Sequence, residues 1–184
     1  MSDFFENIVK KHWDELDERV KREIEAILLS QKGSYTYGVL KCESPIEQLL
    51  LVHLLRWYEY ASGEFRYFDT DANVRLFTQK EVEYRGNKYR IDIVIEVDFM
   101  GKTYRFAIEC DGHEFHEKTK EQALRDKRRE RNLMSLGFHV IRFTGSEIWN
   151  SPSKVAWEVV ELIKKVTGYS DCLIKMVEED MLSS

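Results

Sequence analysis

Proline is almost absent from this chain, with two in 184 residues, and glycine is modest at nine. That scarcity excludes a collagen-like, loop-rich or low-complexity protein. Cysteine is scarce too. Cys42, Cys110 and Cys172 are odd in number and widely spaced, which excludes a disulfide framework and reads as the reduced thiols of an intracellular, cytoplasmic protein. No apolar run approaches the roughly 20 residues of a membrane span. The N-terminus alternates charged with apolar residues, unlike a signal peptide. Excess positive charge is also missing: the net charge is −5. A globally basic nucleic-acid coat is thereby excluded, although DNA binding is not, because only the local field at a docking surface matters.

What is present is 43% hydrophobic and 33% charged, enough for the packed core of one domain with a helical appendage. Residues 3–30 carry Val9, Trp13, Leu16, Val20, Ile24 and Ile27 at helical spacing, one apolar stripe packed on the domain or on a partner copy. Residues 31–43 read as a linker or short hairpin. Ser44-Pro45-Ile46-Glu47 starts a second helix: serine caps, proline suits the first helical position, and glutamate at the third completes a capping box. Ser62-Gly63 ends it.

Strand-like runs follow at 64–70, 73–85, 88–98 and 102–111, with turn signals at Gly86-Asn87 and Met100-Gly101. Alternation places Tyr89, Ile91, Ile93, Ile95 and Val97 on one face and Arg90, Asp92, Val94 and Glu96 on the other. A charged helix at 117–136, a return strand from Phe138 to Thr144, a helix over 152–167 and a tail with an acidic cluster complete the chain. This order predicts an α/β fold, a mixed sheet with helices on each face.

The chemistry lies at the end of the 102–111 strand. Glu109 and Asp111 are two apart, so both carboxylates leave one face of the sheet. Like charges that close demand a cation, a proton or a basic group. Asp92, on the preceding antiparallel strand, comes within reach of the same ion, and histidines lie just beyond. The set suggests a hard divalent metal and phosphodiester chemistry. Mg²⁺ takes oxygen ligands and keeps several waters.

Glu47, Asp92 and Glu109-Cys110-Asp111 in this order resemble the PD-(D/E)XK superfamily of restriction-endonuclease-like nucleases. Ser44-Pro-Ile-Glu47, Asp92, Cys110-Asp-Gly112, His116, Arg125-Asp126, Arg129, Leu133, Gly137 and Val140-Ile-Arg-Phe143 are similar to very-short-patch repair endonucleases and EDxHD homing endonucleases. The resemblance spans roughly residues 44–149. It implies a nuclease domain at 44–168 between an N-terminal helical segment (1–43) and a C-terminal tail (169–184). It also implies that Asp92, Glu109 and the Cys110 main-chain carbonyl hold Mg²⁺ or Mn²⁺. Glu47 reaches the ion directly or through water, His116 is the general base, and Asp126 orients it. Two positions depart from the pattern: Ile91 stands where the motif has proline, and Asp111 where it has lysine, so the base falls to His116.

Within 117–131, seven Lys/Arg face four Asp/Glu, a net of +3 in an acidic chain. Lys118, Lys120, Arg125, Arg128 and Arg129 are candidate contacts to the DNA backbone; the alternative is a solvated helix face laced with i,i+4 pairs. Arg142 is a candidate partner for an active-site acid. Glu47 can also be explained as a helix cap alone. Cys110, His113 and His116 have no evident fourth partner for structural zinc. Two functions follow: a Mg²⁺-dependent DNA endonuclease of repair, homing, restriction or defence, or an inactive nucleic-acid-binding or assembly domain on the same fold. The N-terminal helix is a candidate homodimer element, and no membrane partner is expected.

Overall fold

Two tight turns set the sheet. Arg85-Gly86 and Met100-Gly101 carry φ of 52° and 74°, and of 50° and 70°. Two positive-φ residues in succession make the primed turn whose twist suits a two-residue hairpin. Strands β1 (Asn73–Tyr84), β2 (Asn87–Phe99) and β3 (Lys102–Asp111) therefore run as an antiparallel meander. The first turn lies one residue earlier than Gly86-Asn87, because Tyr84 pairs with Asn87. A helix then carries the chain back to β4 (Phe138–Thr144), parallel to β3, giving the order β1-β2-β3-β4.

The structure, a computed structural model, describes residues 15–28, 34–112 and 120–182. Its helices are α1 (Glu18–Leu28), α2 (Ser34–Lys41), α3 (Pro45–Arg66), α4 (Lys120–Ser135), α5 (Gly145–Asn150), α6 (Pro152–Thr167) and α7 (Tyr169–Leu182). On one face of the sheet, Ile93, Ile95, Val97, Phe106 and Ile108 pack with the leucines of α3 and with Val159 and Ile163 of α6. On the other, Val94 and Ala107 meet Leu133 of α4 and Phe138. The mixed α/β fold with helices on both faces is the one expected.

Four local expectations are corrected. Residues 31–43 are no linker or hairpin throughout: α2 forms at 34–41, with Val39 and Cys42 buried in the core, where packing stabilises a helix that short length would not. Helix α3 does not end at Ser62-Gly63. It continues to Arg66, since Phe65 is fully buried against Phe99 and Tyr169, and burying a phenylalanine outweighs the roughly 1 kcal/mol helix cost of glycine. No strand forms at 64–70. The segment read as a tail is helical in α7, and its first residue, Tyr169, is buried in the aromatic cluster with Phe65 and Phe68. For the N-terminal stripe, Leu16 and Val20 pack into this domain's own core; residues 3–14 lie outside the described residues.

A fifth correction positions the site. The alternation along β2 does not run unbroken. Ile91 packs with Val94 on the α4 face, whereas Ile93, Ile95 and Val97 face α3. The pleat therefore slips phase at Asp92. Strand β1 slips at the same rung: Leu76 belongs to the α3 face, Phe77 and Val82 to the α4 face. Between them Gln79 has φ of 51°. Pairing holds at Thr78↔Ile93 and Lys80↔Ile91 with the Gln79–Asp92 rung open between them. A left-handed non-glycine residue inside a strand costs about 1–3 kcal/mol and points to a local function.

Candidate active site

The β2–β3 ladder stops at Ile93↔Ile108. One residue further, the Asp92 side chain takes over from the backbone: the Cys110 amide donates to Asp92 Oδ2 at 2.8 Å. This opens the sheet edge into a polar cavity of about 490 Å³, lined among others by Asp92, Glu109, Cys110, Asp111, Asp126, Arg129 and Arg142. Glu109 and Asp111 leave β3 on one side, as their spacing requires. Both meet Arg142, at 4.0 Å and 3.4 Å.

Glu109 is 6% exposed. Arg129 of α4 donates from Nη2 to both of its oxygens, at 2.7 and 2.8 Å, and to the Arg90 carbonyl at 2.5 Å. Burial raises the Glu109 carboxyl above its ordinary range, and the Arg129 hydrogen bond and charge act against the rise. Burial also raises Asp92, opposed by the Cys110 amide and by Arg129. The dominant cause in both is desolvation rather than mutual repulsion, since removing a carboxylate from water disfavours its charged form.

Glu47 is buried and is not among the residues that line the cavity. It receives hydrogen bonds from the Glu43 amide (3.0 Å), Ser44 Oγ (2.7 Å) and Gln79 Nε2 (2.7 Å). Ser44 Oγ accepts from the Glu47 amide at 3.4 Å, so half of the expected capping box is present. The reciprocal arm goes to Glu43 instead of the Ser44 amide. Burial raises Glu47 as well, with Asp92 a smaller contributor, which places the two carboxylates in one electrostatic neighbourhood.

Asp92, Glu109, Cys110, Asp111 and Asp126 are thus brought to one cavity; Glu47 is not among its lining residues but feels the charge of Asp92. His116 and Lys118 lie outside the described residues. Lys120, Arg125 and Arg128 are exposed on α4, while Arg129 turns inward to Glu109. Gln79 was missed. A strand glutamine carries no signal in sequence, and the φ that aims it at Glu47 emerges only in the fold.

The oxygens of Asp92 and Glu109 are the donor type that a hard divalent cation prefers. Among the described residues, however, no three His, Cys, Asp or Glu side chains are gathered as a metal site. Arg129 stands on the Glu109 oxygens that such an ion would need. The donor chemistry fits the ion, and the present placement of Arg129 opposes it.

Residues 75–163 match the family REase_MTES_1575, a restriction-endonuclease-like family. The stretch runs from β1 into α6 and includes Asp92, Glu109, Asp111, Asp126 and Arg129, but not Glu47. No curated protein and no solved structure matches the chain significantly. Among the described residues, no helix is long and apolar enough to cross a membrane.

Proposed function

From a restriction-endonuclease-like fold as premise, we propose that the protein is a metal-dependent DNA endonuclease, close in type to the very-short-patch repair and EDxHD enzymes. One observation carries this reading: the sheet opens where Asp92 and Glu109 converge, and the opening is walled by carboxylates and arginines together. Phosphodiester hydrolysis needs both, acids to hold a cation and cations to hold the phosphate.

Asp92, Glu109 and the Cys110 carbonyl would hold Mg²⁺ or Mn²⁺. When bound, the ion would neutralise charge developing on the phosphate and lower the pKa of its water. His116 would take the proton of the attacking water near neutral pH, with Asp126 fixing its tautomer. Glu47, held by Ser44 and Gln79, would complete the shell from behind. Arg142 pairs with Asp111 at 3.4 Å in the cavity wall. Lys120, Arg125 and Arg128 would meet the DNA backbone from the outer face of α4, each phosphate contact adding salt-dependent affinity. An intracellular role in repair, restriction or defence accords with this chemistry, and double-strand cutting would call for a homodimer or sequential nicks.

The competing reading is an inactive nucleic-acid-binding domain. It is favoured by Asp111 at the motif's lysine position and by the occupied Glu109. Incubation with supercoiled plasmid separates the two: Mg²⁺- or Mn²⁺-dependent nicking, absent with EDTA and in Asp92→Ala, is expected. Cleavage by Asp92→Ala at the wild-type rate would sink the proposed site.

A further inference from the structure

The position of Arg129 on the Glu109 oxygens conflicts with the metal-dependent reading, and the conflict has a physical resolution. Three carboxylates, Asp92, Glu109 and Asp111, share the cavity with two guanidiniums at contact distance. Arg129 holds both Glu109 oxygens from a single nitrogen, Nη2, a looser grip than the two-nitrogen fork guanidinium can offer. Its group also lies 6.0 Å from the centre of the Tyr89 ring, so an aromatic face is at hand. Arg142 is similarly underused: its Nε is buried and finds no acceptor among the described residues. Arg142 therefore keeps one unpartnered donor, and Arg129 serves both Glu109 oxygens and the Arg90 carbonyl from one nitrogen, while both guanidiniums line the cavity.

We propose that Arg129 has two positions. In the metal-free protein it is the counter-cation of Glu109. When a divalent cation takes that carboxylate, repulsion between the two cations releases the guanidinium to a nucleic-acid phosphate in the same cavity. Cation and phosphate then assist each other's binding, and by thermodynamic linkage the assistance is equal in both directions. This inference rests on the metal-dependent reading above and adds to it a competitor and a coupling.

Mn²⁺ binding, followed by the paramagnetic resonance of free Mn²⁺, tests the first position without reference to cleavage. Arg129→Gln should bind Mn²⁺ about tenfold more tightly than wild type, because a positive charge in direct contact with a ligand carboxylate is removed. Arg129→Lys, which keeps the charge, should stay within a few-fold of wild type. Unchanged affinity in Arg129→Gln, with binding lost in Asp92→Asn, overturns the inference and leaves the metal site standing. No Mn²⁺ binding by wild type or Arg129→Gln overturns both.

The second position is read by anisotropy of a labelled DNA duplex with Ca²⁺ or with EDTA. Wild type should bind more tightly in Ca²⁺. Arg129→Gln should lose most of that gain, and the slope of log affinity against log salt should fall by about one. An equal Ca²⁺ gain in both proteins overturns the proposed transfer to phosphate. Should Arg129→Gln fail to fold, the side-chain ¹⁵N resonance of Arg129 in wild type gives the answer. Movement on adding Mg²⁺ supports release, and a resonance unmoved while Asp92 and Glu109 signals shift overturns it.

Discussion

The two ends of the β2–β3 hairpin neutralise a buried glutamate in different ways. At the turn end, Glu96 is met by Lys80 at 2.7 Å, Arg75 at 3.3 Å and Arg105 at 3.8 Å. All three cations belong to the sheet that carries Glu96: Arg75 and Arg105 sit directly opposite it on the neighbouring strands, and Lys80 reaches it from β1 beyond the open rung. At the open end, beyond the point where the β2–β3 ladder stops, Glu109 is met by Arg129 from α4 at 2.7 Å and, at 4.0 Å, by Arg142, its rung partner on β4. The first acid is compensated by three side chains of its own sheet. The second is compensated chiefly by Arg129, which comes from a helix outside the sheet and can exchange partners while the sheet stays intact. What distinguishes the open end is that its nearest cation, Arg129, is held by a separate helix.

The comparison predicts that stability concentrates at the regular end. Phe106, fully buried there and paired with Ile95, should cost about 3–5 kcal/mol when cut to alanine, lowering Tm by roughly 10 °C or more at this chain length. Thermal unfolding followed by circular dichroism checks it. A loss under about 1 kcal/mol would mean that the turn end is not where the fold is held.

At the open end a substitution should do the reverse. Asp92 titrates above its ordinary 3.8 in the folded protein because burial disfavours its charge. A raised carboxyl contributes stability that is fully present below the unfolded value and is lost as pH rises through the folded one. Asp92→Asn keeps an acceptor for the Cys110 amide and removes the charge. It should therefore match wild type near pH 4 and exceed it progressively toward neutral pH, by about 1 kcal/mol or some 2–4 °C in Tm, while losing all metal-dependent cleavage. Urea unfolding at several pH values reads the difference. A variant less stable than wild type at pH 7 would show that Asp92 is compensated in the fold, and the contrast between the two ends would fail.

How much of this could be read from sequence divides along the same line. The hairpins, the β3–α4–β4 return and the convergence of Asp92 with Glu109 follow from period-two alternation and turn chemistry, and the regular end obeys both. The phase slip does not follow, because it replaces one good alternation with another: Tyr89, Ile91, Ile93 and Ile95 are equally apolar on either side of the break. Phe65 escaped for a related reason. Gly63 reads as a stop in sequence, and only the aromatic cluster around Tyr169 carries α3 through it. Arg129 read as one basic residue among seven; its inward turn depends on which face of α4 buries Leu133, a choice made by the sheet.

The finest test applies one chemical change at both ends. Met100 and Gln79 are non-glycine residues at nearly the same positive φ, 50° and 51°. Asparagine tolerates that region better than either. Met100 is half exposed in the hairpin turn, so relief of backbone strain should prevail there and Met100→Asn should stabilise by about 0.5 kcal/mol. At Gln79 the side chain spans to Glu47 at 2.7 Å. Asparagine, one methylene shorter, cannot reach and leaves a buried carboxylate short of a donor, which costs about 1–3 kcal/mol. Gln79→Asn should thus destabilise despite easing the backbone. Opposite signs from paired denaturant melts would establish that the strain at Gln79 is maintained by its hold on Glu47. Stabilisation at both positions would mean that the phase slip arises from the packing of Ile91 and Val94 alone, with Glu47 an incidental neighbour.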